Sequence, residues 1–199
     1  MSNFVYRNQT TYELLMLLLY KQHYASRYRS VAQMIPAGAS VLDVCCGPAV
    51  LYTRYLKNKG VSYTGFDINE KFITLGRAKG LAMIQGDVAA VAEFPKSDFV
   101  VMQGSLYHFL PDDVPSVVGK MLRASKQKLI IAEPVRNVSV SKLRWLARLA
   151  QRLTDAGSGP TTRRFDEASL PVAFSPFAAN IERTFPIAGG REIVFVLRP

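Results

Sequence analysis

Residues 41–51, Val-Leu-Asp-Val-Cys-Cys-Gly-Pro-Ala-Val-Leu, constrain this chain more than any other stretch. An apolar run with one acid inside it, Asp43, leads into small residues. An apolar, helix-like pattern follows at Leu51, Tyr55 and Leu56. A buried parallel strand that feeds a tight turn and then a helix has this form. Such a turn brings backbone close to a ligand, and the helix start adds unpaired N–H groups. An acid beside the turn is costly to bury without a partner. The stretch therefore predicts an open α/β sheet with a ligand at the carboxyl end of its first strand.

The rest of the chain repeats the same alternation. Strands are predicted at about 40–45, 61–67, 81–87, 98–104 and 128–133. Helices are predicted at about 49–59, 69–79 and 111–124, with Lys59-Gly60 and Gly80 closing the first two. Strand–helix alternation implies a parallel sheet with helices on both faces. Two further β-like runs, 181–187 and 192–197, flank Ala188-Gly189-Gly190 and predict a terminal hairpin. The expected architecture is three-layer α/β/α: a seven-stranded, mostly parallel sheet with an antiparallel C-terminal strand.

A chain of 199 residues suits one domain with one substantial core. Within it we expect an N-terminal helical lid (1–36), a ligand-binding core (37–134), a helical segment on the substrate side (135–180) and the hairpin (181–199). Thr10 and Glu13 form a capping box for a helix over about 11–34, or two helices joined near Ala25-Ser26. Tyr24, Arg27, Tyr28 or Arg29 of that lid would face a ligand. Residues 139–154 read as an amphipathic helix, with Trp145, Leu146, Leu149 and Leu153 on one side. Arg144, Arg148 and Arg152 line the other. Such a stripe suits an anionic membrane surface, or a cover over an acidic acceptor.

Asp43, Asp67 and Asp87 stand at or near the ends of three successive predicted strands. Three acids on one rim repel unless a donor-rich ligand bridges them. A ligand with a diol and amines would do so. No neighbouring histidine supports a transition-metal site, and no metal is expected.

These motifs resemble the class I S-adenosylmethionine-dependent methyltransferases. Residues 41–49 are similar to the family's first motif, an acid followed by a glycine-rich turn. Gly65-Phe66-Asp67 resembles its second-strand acid, Gly86-Asp87 its third-strand acid, and Asp98-Phe99-Val100-Val101-Met102 its fourth strand. The resemblance covers roughly 41–134. It implies a Rossmann-like fold and S-adenosylmethionine as cofactor, with S-adenosylhomocysteine as product. It implies that Cys45, Cys46, Gly47, Pro48 and Ala49 pass close to the methionine part, with Asp43 orienting that loop. Asp67, with Ile68 beside it, would take the ribose hydroxyls. Asp87 and Val88 would meet the adenine, and Gln103 and Gly104 would line the methyl side.

The family usually has glycine where Cys45 and Ala49 stand. Cysteine at 45 predicts an ordinary backbone there, because glycine alone is free at positive φ. A nicotinamide-dinucleotide site is the rival reading. Its fingerprint needs G-x-G-x-x-G, whereas this turn has one glycine, and it gives Asp43 and Asp87 no role.

Candidate catalytic residues follow the fourth strand. Methyl transfer needs in-line approach of a nucleophile, and a base helps when that nucleophile carries a proton. His108 sits where the acceptor should enter, and Glu133, ending the fifth strand, is the second candidate base. Tyr24, Tyr28, Tyr107 and Arg136 are the candidate acceptor contacts. A formal net charge of +10 favours an anionic partner. The chain lacks the Asn/Asp-Pro-Pro-Tyr run of enzymes that methylate base amino groups, which argues against nucleic acid. A small-molecule or lipid-like acceptor is expected. The alternative outside enzymology is a non-catalytic cofactor-binding relative that serves as a partner subunit. Two adjacent cysteines make no disulfide framework, and the longest apolar run, 14–20, is far too short to span a bilayer. With no signal peptide read at the start, a cytoplasmic protein is expected.

Overall fold

The computed structural model describes residues 23–136 and 163–199. The first half of the lid helix (11–22), the Trp145 helix with its arginine stripe (139–154) and the loop at 156–162 lie outside the described residues.

Seven strands form one sheet: β1 (Ser40–Val44), β2 (Ser62–Asp67), β3 (Ala82–Gln85), β4 (Ser97–Gln103), β5 (Ser125–Pro134), β6 (Ile181–Ile187) and β7 (Glu192–Leu197). Their order across the sheet is β3-β2-β1-β4-β5-β7-β6. β1 pairs in parallel with both β2 and β4, so the strand order reverses at β1. That reversal opens a crevice at the carboxyl ends of β1 and β4, where ligands of open α/β sheets bind. The opposite end is tied shut: Oδ2 of Asp98 accepts the Ser40 amide at 2.9 Å and the Ser40 hydroxyl at 2.7 Å. β5 and β7 are antiparallel, as are β6 and β7.

Both faces of the central strands are apolar, as a sheet covered by helices on both sides requires. On one face α1 (His23–Gln33) and the residues after β1 bury Val31, Ile35, Leu51 and Leu56 against Val41 and Val101. On the other, α3 (Val114–Ala124) and the segment around Phe165, Leu170 and Phe174 bury Leu42, Val100 and Leu129. α2 (Glu70–Ala78) starts at Asn69, whose side chain accepts the Lys71 amide. A short helix α4 (Ser169–Ala173) precedes the hairpin.

Several boundaries differ from the sequence reading: the helix expected from 111 starts at Val114, and β3 stops at Gln85, short of Asp87. The helix expected at 49–59 is wound unevenly, with a π turn over Tyr52–Leu56 and a 3-10 turn over Lys57–Lys59. β5 begins at Ser125, three residues early, because α3 runs straight into it. Lys126 and Gln127 are polar enough to read as a loop, but they lie at the exposed start of the strand. Among the described residues no helix is long and apolar enough to cross a membrane.

Candidate functional site

The turn after β1 takes its shape from three residues at alternate positions. Cys45, Gly47 and Ala49 have φ of 57°, 54° and 57°, all in the left-handed region. Two of the three are not glycine, and each costs on the order of 1 kcal/mol in this conformation. The expectation of an ordinary backbone at Cys45 is therefore wrong. The turn keeps a glycine-type geometry without the glycines, because neighbouring contacts hold it. The Cys46 amide donates to the Phe66 carbonyl at 3.2 Å, and the Ala49 amide to the Cys46 carbonyl at 3.1 Å. The Cys46 thiol fits against β2 because residue 65 is glycine: a Cβ there would stand 2.8 Å from the sulfur.

Asp67, the last residue of β2, completes the hold on this turn. Its Oδ2 accepts the Gly47 amide at 2.8 Å and its Oδ1 the Asn69 amide at 2.9 Å. The sequence reading gave the loop-orienting role to Asp43, and the structure gives it to Asp67. Asp43 lies one step back inside β1, where its Oδ2 accepts the Tyr63 hydroxyl at 3.0 Å. Burial raises its pKa to about 7, against the Tyr63 hydrogen bond and with help from nearby Asp67. Burial also raises Asp67, while the amides of Asn69 and Gly47 counter it. A carboxylate has about four lone-pair sites. With the Ile68 amide also turned toward it, Asp67, 8% exposed at the strand end, keeps capacity for a further donor.

The other rim residues flank Asp67. Ile68 is 52% exposed, a large apolar side chain left open beside the acid. Asp87 is exposed just beyond β3, and its Oδ1 accepts the Ala89 amide at 2.8 Å. Val88 is buried beneath it. A Cβ on Gly47 would find only Phe72 Cε2, at 4.0 Å. Space above the turn, a carboxylate with acceptor capacity to spare, an apolar flank and a second acid together suit a nucleoside with its diol toward Asp67.

The carboxyl end of β4 is built differently. Gly104 has φ of +64°, its amide donates to the Ala132 carbonyl at 2.7 Å, and Arg27 packs on its open face. A Cβ there would stand 2.7 Å from Arg27 Nη2, so any side chain would have to displace the Arg27 guanidinium. Arg27 itself is buried and pairs through Nε with Glu192 at 3.0 Å. The Gln103 side-chain amide donates to the Arg27 carbonyl at 3.3 Å. α1 is thus pinned to the sheet edge by an ion pair and two contacts with the end of β4. Pairs of this kind fix geometry more than they add stability.

Glu133 does not sit where a base could meet an acceptor. It is 0% exposed, and its carboxylate accepts the Leu106 amide at 3.0 Å and the Tyr107 amide at 3.4 Å. Burial raises its pKa to about 8; the Leu106 amide opposes this and nearby Glu192 adds to it. Glu133 is a tie for the short turn Leu106–Phe109, which positions the residues after β4. That turn carries His108, half-buried, with its ring centroid 4.0 Å from that of Tyr107. The Arg164 guanidinium lies 3.3 Å from the Tyr107 ring centroid. Tyr107, His108 and Arg164 therefore form one group beside the end of β4.

The remaining acceptor candidates are placed elsewhere. Tyr24 and Tyr28 are buried in the core face of α1, ring centroids 5.4 Å apart, with Tyr28 stacked on Tyr55. They are packing residues, as their spacing with Val31 on one helical stripe allows. Arg136 is exposed and pairs with Glu167 at 2.5 Å. Burial pushes both cysteine thiols upward, with Asp43 and Asp67 adding to it. Among the described residues no group of three or more His, Cys, Asp or Glu is placed to hold a metal.

The sequence reading missed Tyr63, Arg164 and Glu192, and left Arg27 as one of four lid candidates. A signal existed for two of them. Arg27 shares the stripe Tyr24, Tyr28, Val31, and Glu192 opens an otherwise apolar strand. A charge on each of two buried faces calls for a partner.

Solved structures share this fold at low identity. A magnesium protoporphyrin IX methyltransferase from Synechocystis PCC 6803, with bound S-adenosylhomocysteine, is 18% identical with a TM-score of 0.65; the match covers 98% of this chain and 97% of that one. A SAM-dependent methyltransferase from Aquifex aeolicus is 13% identical with a TM-score of 0.63, over 92% and 95%. A methyltransferase bound to the Trm112 activator, from Haloferax volcanii, is described as putative; it is 15% identical with a TM-score of 0.67, over 92% and 93%. No curated protein sequence matches the chain. The fold is the Rossmann-like one of class I methyltransferases. Residues 25–171 match the family model of the methionine biosynthesis protein MetW, and the chain belongs to that class I methyltransferase-like family.

Proposed function

We propose that this protein binds S-adenosylmethionine and transfers its methyl group to a small-molecule or lipid-like acceptor. The observation that carries the reading is Asp67, which holds the left-handed turn through Gly47 and keeps acceptor capacity at the rim. The residues fit the cofactor. Asp67 would take the ribose diol, Ile68 would lie against the nucleoside, and Asp87 with Val88 would meet the adenine. Cys45, Cys46, Gly47, Pro48 and Ala49 would border the methionine part, with Gln103 and Gly104 across from them. When bound, the cofactor supplies a methyl group activated on a sulfonium. The chain's own contribution is position: Glu133 and Arg27 fix the end of β4, and Tyr107, His108 and Arg164 stand where an acceptor would enter. His108 is the remaining candidate base. Two free cysteines, with no disulfide framework, suit a cytoplasmic setting.

Labelled S-adenosylmethionine, incubated with the protein and fractionated metabolites, tests this. Methyl label in an organic product, with matching S-adenosylhomocysteine release, is the expected result. A second reading is favoured by the burial of Glu133, which removes one of two candidate bases, and by the family's name. S-adenosylmethionine is made from methionine, so a cofactor-sensing partner subunit in methionine biosynthesis would also need this site. Tight cofactor binding with no turnover against any fraction would select that reading.

A further inference from the structure

Lys120 lies on the inner face of α3 and is 8% exposed, rare for a lysine. Its ammonium donates to three backbone carbonyls: Val88 at 2.8 Å, Ala89 at 3.0 Å and Val91 at 3.0 Å. An ammonium has three N–H donors. All three therefore enter one stretch, 88–91, which follows β3 and Asp87. The same stretch is closed from its other side by Asp87. Its Oδ1 accepts the Ala89 amide at 2.8 Å, and its carbonyl accepts the Val91 amide at 2.9 Å. With Oδ1 so engaged, Oδ2 is the oxygen Asp87 offers to a ligand.

Packing alone does not call for a lysine here. Val117, Val118 and Met121 of the same helix are buried and already seat α3 against the sheet. Taking a cation out of water is expensive, and an apolar residue of similar volume would serve as well or better for stability. What an apolar residue cannot do is satisfy three inward-facing carbonyls of a tight turn. The lysine's distinct contribution is the shape of 88–91, and that shape places Asp87 and Val88.

We propose that Lys120 is a positioning residue for the adenine subsite. By fixing the 88–91 turn it holds Asp87 so that one carboxylate oxygen meets the purine edge, and so sets a preference for a 6-amino over a 6-oxo purine. The inference rests on the cofactor reading above. The 6-amino group donates to Asp87, whereas a 6-oxo group would set two acceptors against each other. A site built to accept a hydrogen bond rejects a ligand that cannot supply it.

The test is calorimetric titration of S-adenosylhomocysteine and S-inosylhomocysteine, its 6-oxo analogue, into wild type and Lys120→Met. Wild type should bind the adenosyl compound at least about tenfold more tightly, the worth of one hydrogen bond to a charged acceptor. Lys120→Met should weaken the adenosyl compound about tenfold and leave the inosyl compound within about threefold, erasing most of the preference. Circular dichroism and a cooperative unfolding transition check that the variant is folded. Should it not fold, Lys120→Arg serves the same comparison, because a planar fork cannot reach the three carbonyls as an ammonium does. An unchanged ratio, or equal weakening of both ligands, would overturn the positioning role while leaving the cofactor reading intact. Wild type that binds neither ligand would overturn both.

Discussion

Asp67 and Glu133 each lie at the carboxyl end of a strand, each accepts two backbone amides, and they do opposite work. Asp67 takes its amides from Gly47 and Asn69 at the rim. Glu133 takes its amides from Leu106 and Tyr107 and is sealed from solvent, with Glu192 close enough to raise its pKa further. In the proposed function the same chemistry at the same sheet edge would serve as a ligand handle at Asp67, whereas at Glu133 it is a structural tie under the chain that folds over it. On the β1–β3 side Asp87 is exposed, Asp67 is 8% exposed at its strand end, and Asp43 is buried on Tyr63. On the other side Glu133 of β5 is taken up by backbone amides and Glu192 of β7 by Arg27.

The largest expected effect comes from removing the tie. Glu133→Ala leaves two buried amides unsatisfied and should cost about 3 kcal/mol or more in urea unfolding, since each such group costs roughly 1–3 kcal/mol. Glu133→Gln keeps an acceptor and should cost less than half as much. Asp67→Ala also frees two amides, but Gly47 and Asn69 are only half-buried and can turn to water, so it should cost less, about 1–2 kcal/mol. Equal losses at the two positions would erase the contrast.

Proton linkage gives the next effect. Asp43 is raised from 3.8 to about 7, and Glu133 from 4.5 to about 8. The folded protein therefore holds these protons to higher pH than the unfolded chain does. The stability this gives is complete below about pH 4 and is lost as pH rises through about 7 and 8. Unfolding free energy should fall across that window, by up to about 1.4 kcal/mol per pH unit for each group titrating. Glu133→Gln should flatten the upper part of the slope. A stability that climbs between about pH 5 and 8 would contradict the burial of both acids.

A smaller effect concerns the turn. Cys45→Gly removes a left-handed cost on the order of 1 kcal/mol. It also loses the half-buried thiol and frees the unfolded chain, each a comparable loss. The net change should stay within about 1 kcal/mol of wild type in the same unfolding assay. The smallest signal is reactivity. Burial and the surrounding carboxylates push both thiols upward, so native protein at neutral pH should alkylate much more slowly than denatured protein.

The β1–β3 half of the fold was legible in the chain because its signals are local. Apolar runs ending in Asp67 and Asp87, a glycine turn and a terminal hairpin all fall within windows of a few residues. The other half depends on contacts that no window contains. Glu133 meets amides 26 and 27 residues away. Arg27 of the first described helix meets Glu192 of the last strand. The shift of the turn-holding role from Asp43 to Asp67 was hidden for the same reason: Tyr63, which takes up Asp43, comes from the neighbouring strand. Cys45 misled in another way. Residue preference for positive φ is an average cost, and here a hydrogen-bonded turn outweighs it.

The contrast between the two acids is tested most directly by calorimetric titration of S-adenosylhomocysteine into wild type, Asp67→Ala and Glu133→Gln. Wild type should bind. Asp67→Ala should bind roughly 10- to 100-fold more weakly, from loss of charge-assisted hydrogen bonds worth about 1.5–3 kcal/mol. Glu133→Gln should bind within about threefold of wild type. Folded wild-type protein that ignores the ligand at millimolar concentration, or a Glu133→Gln loss larger than that of Asp67→Ala, would contradict it.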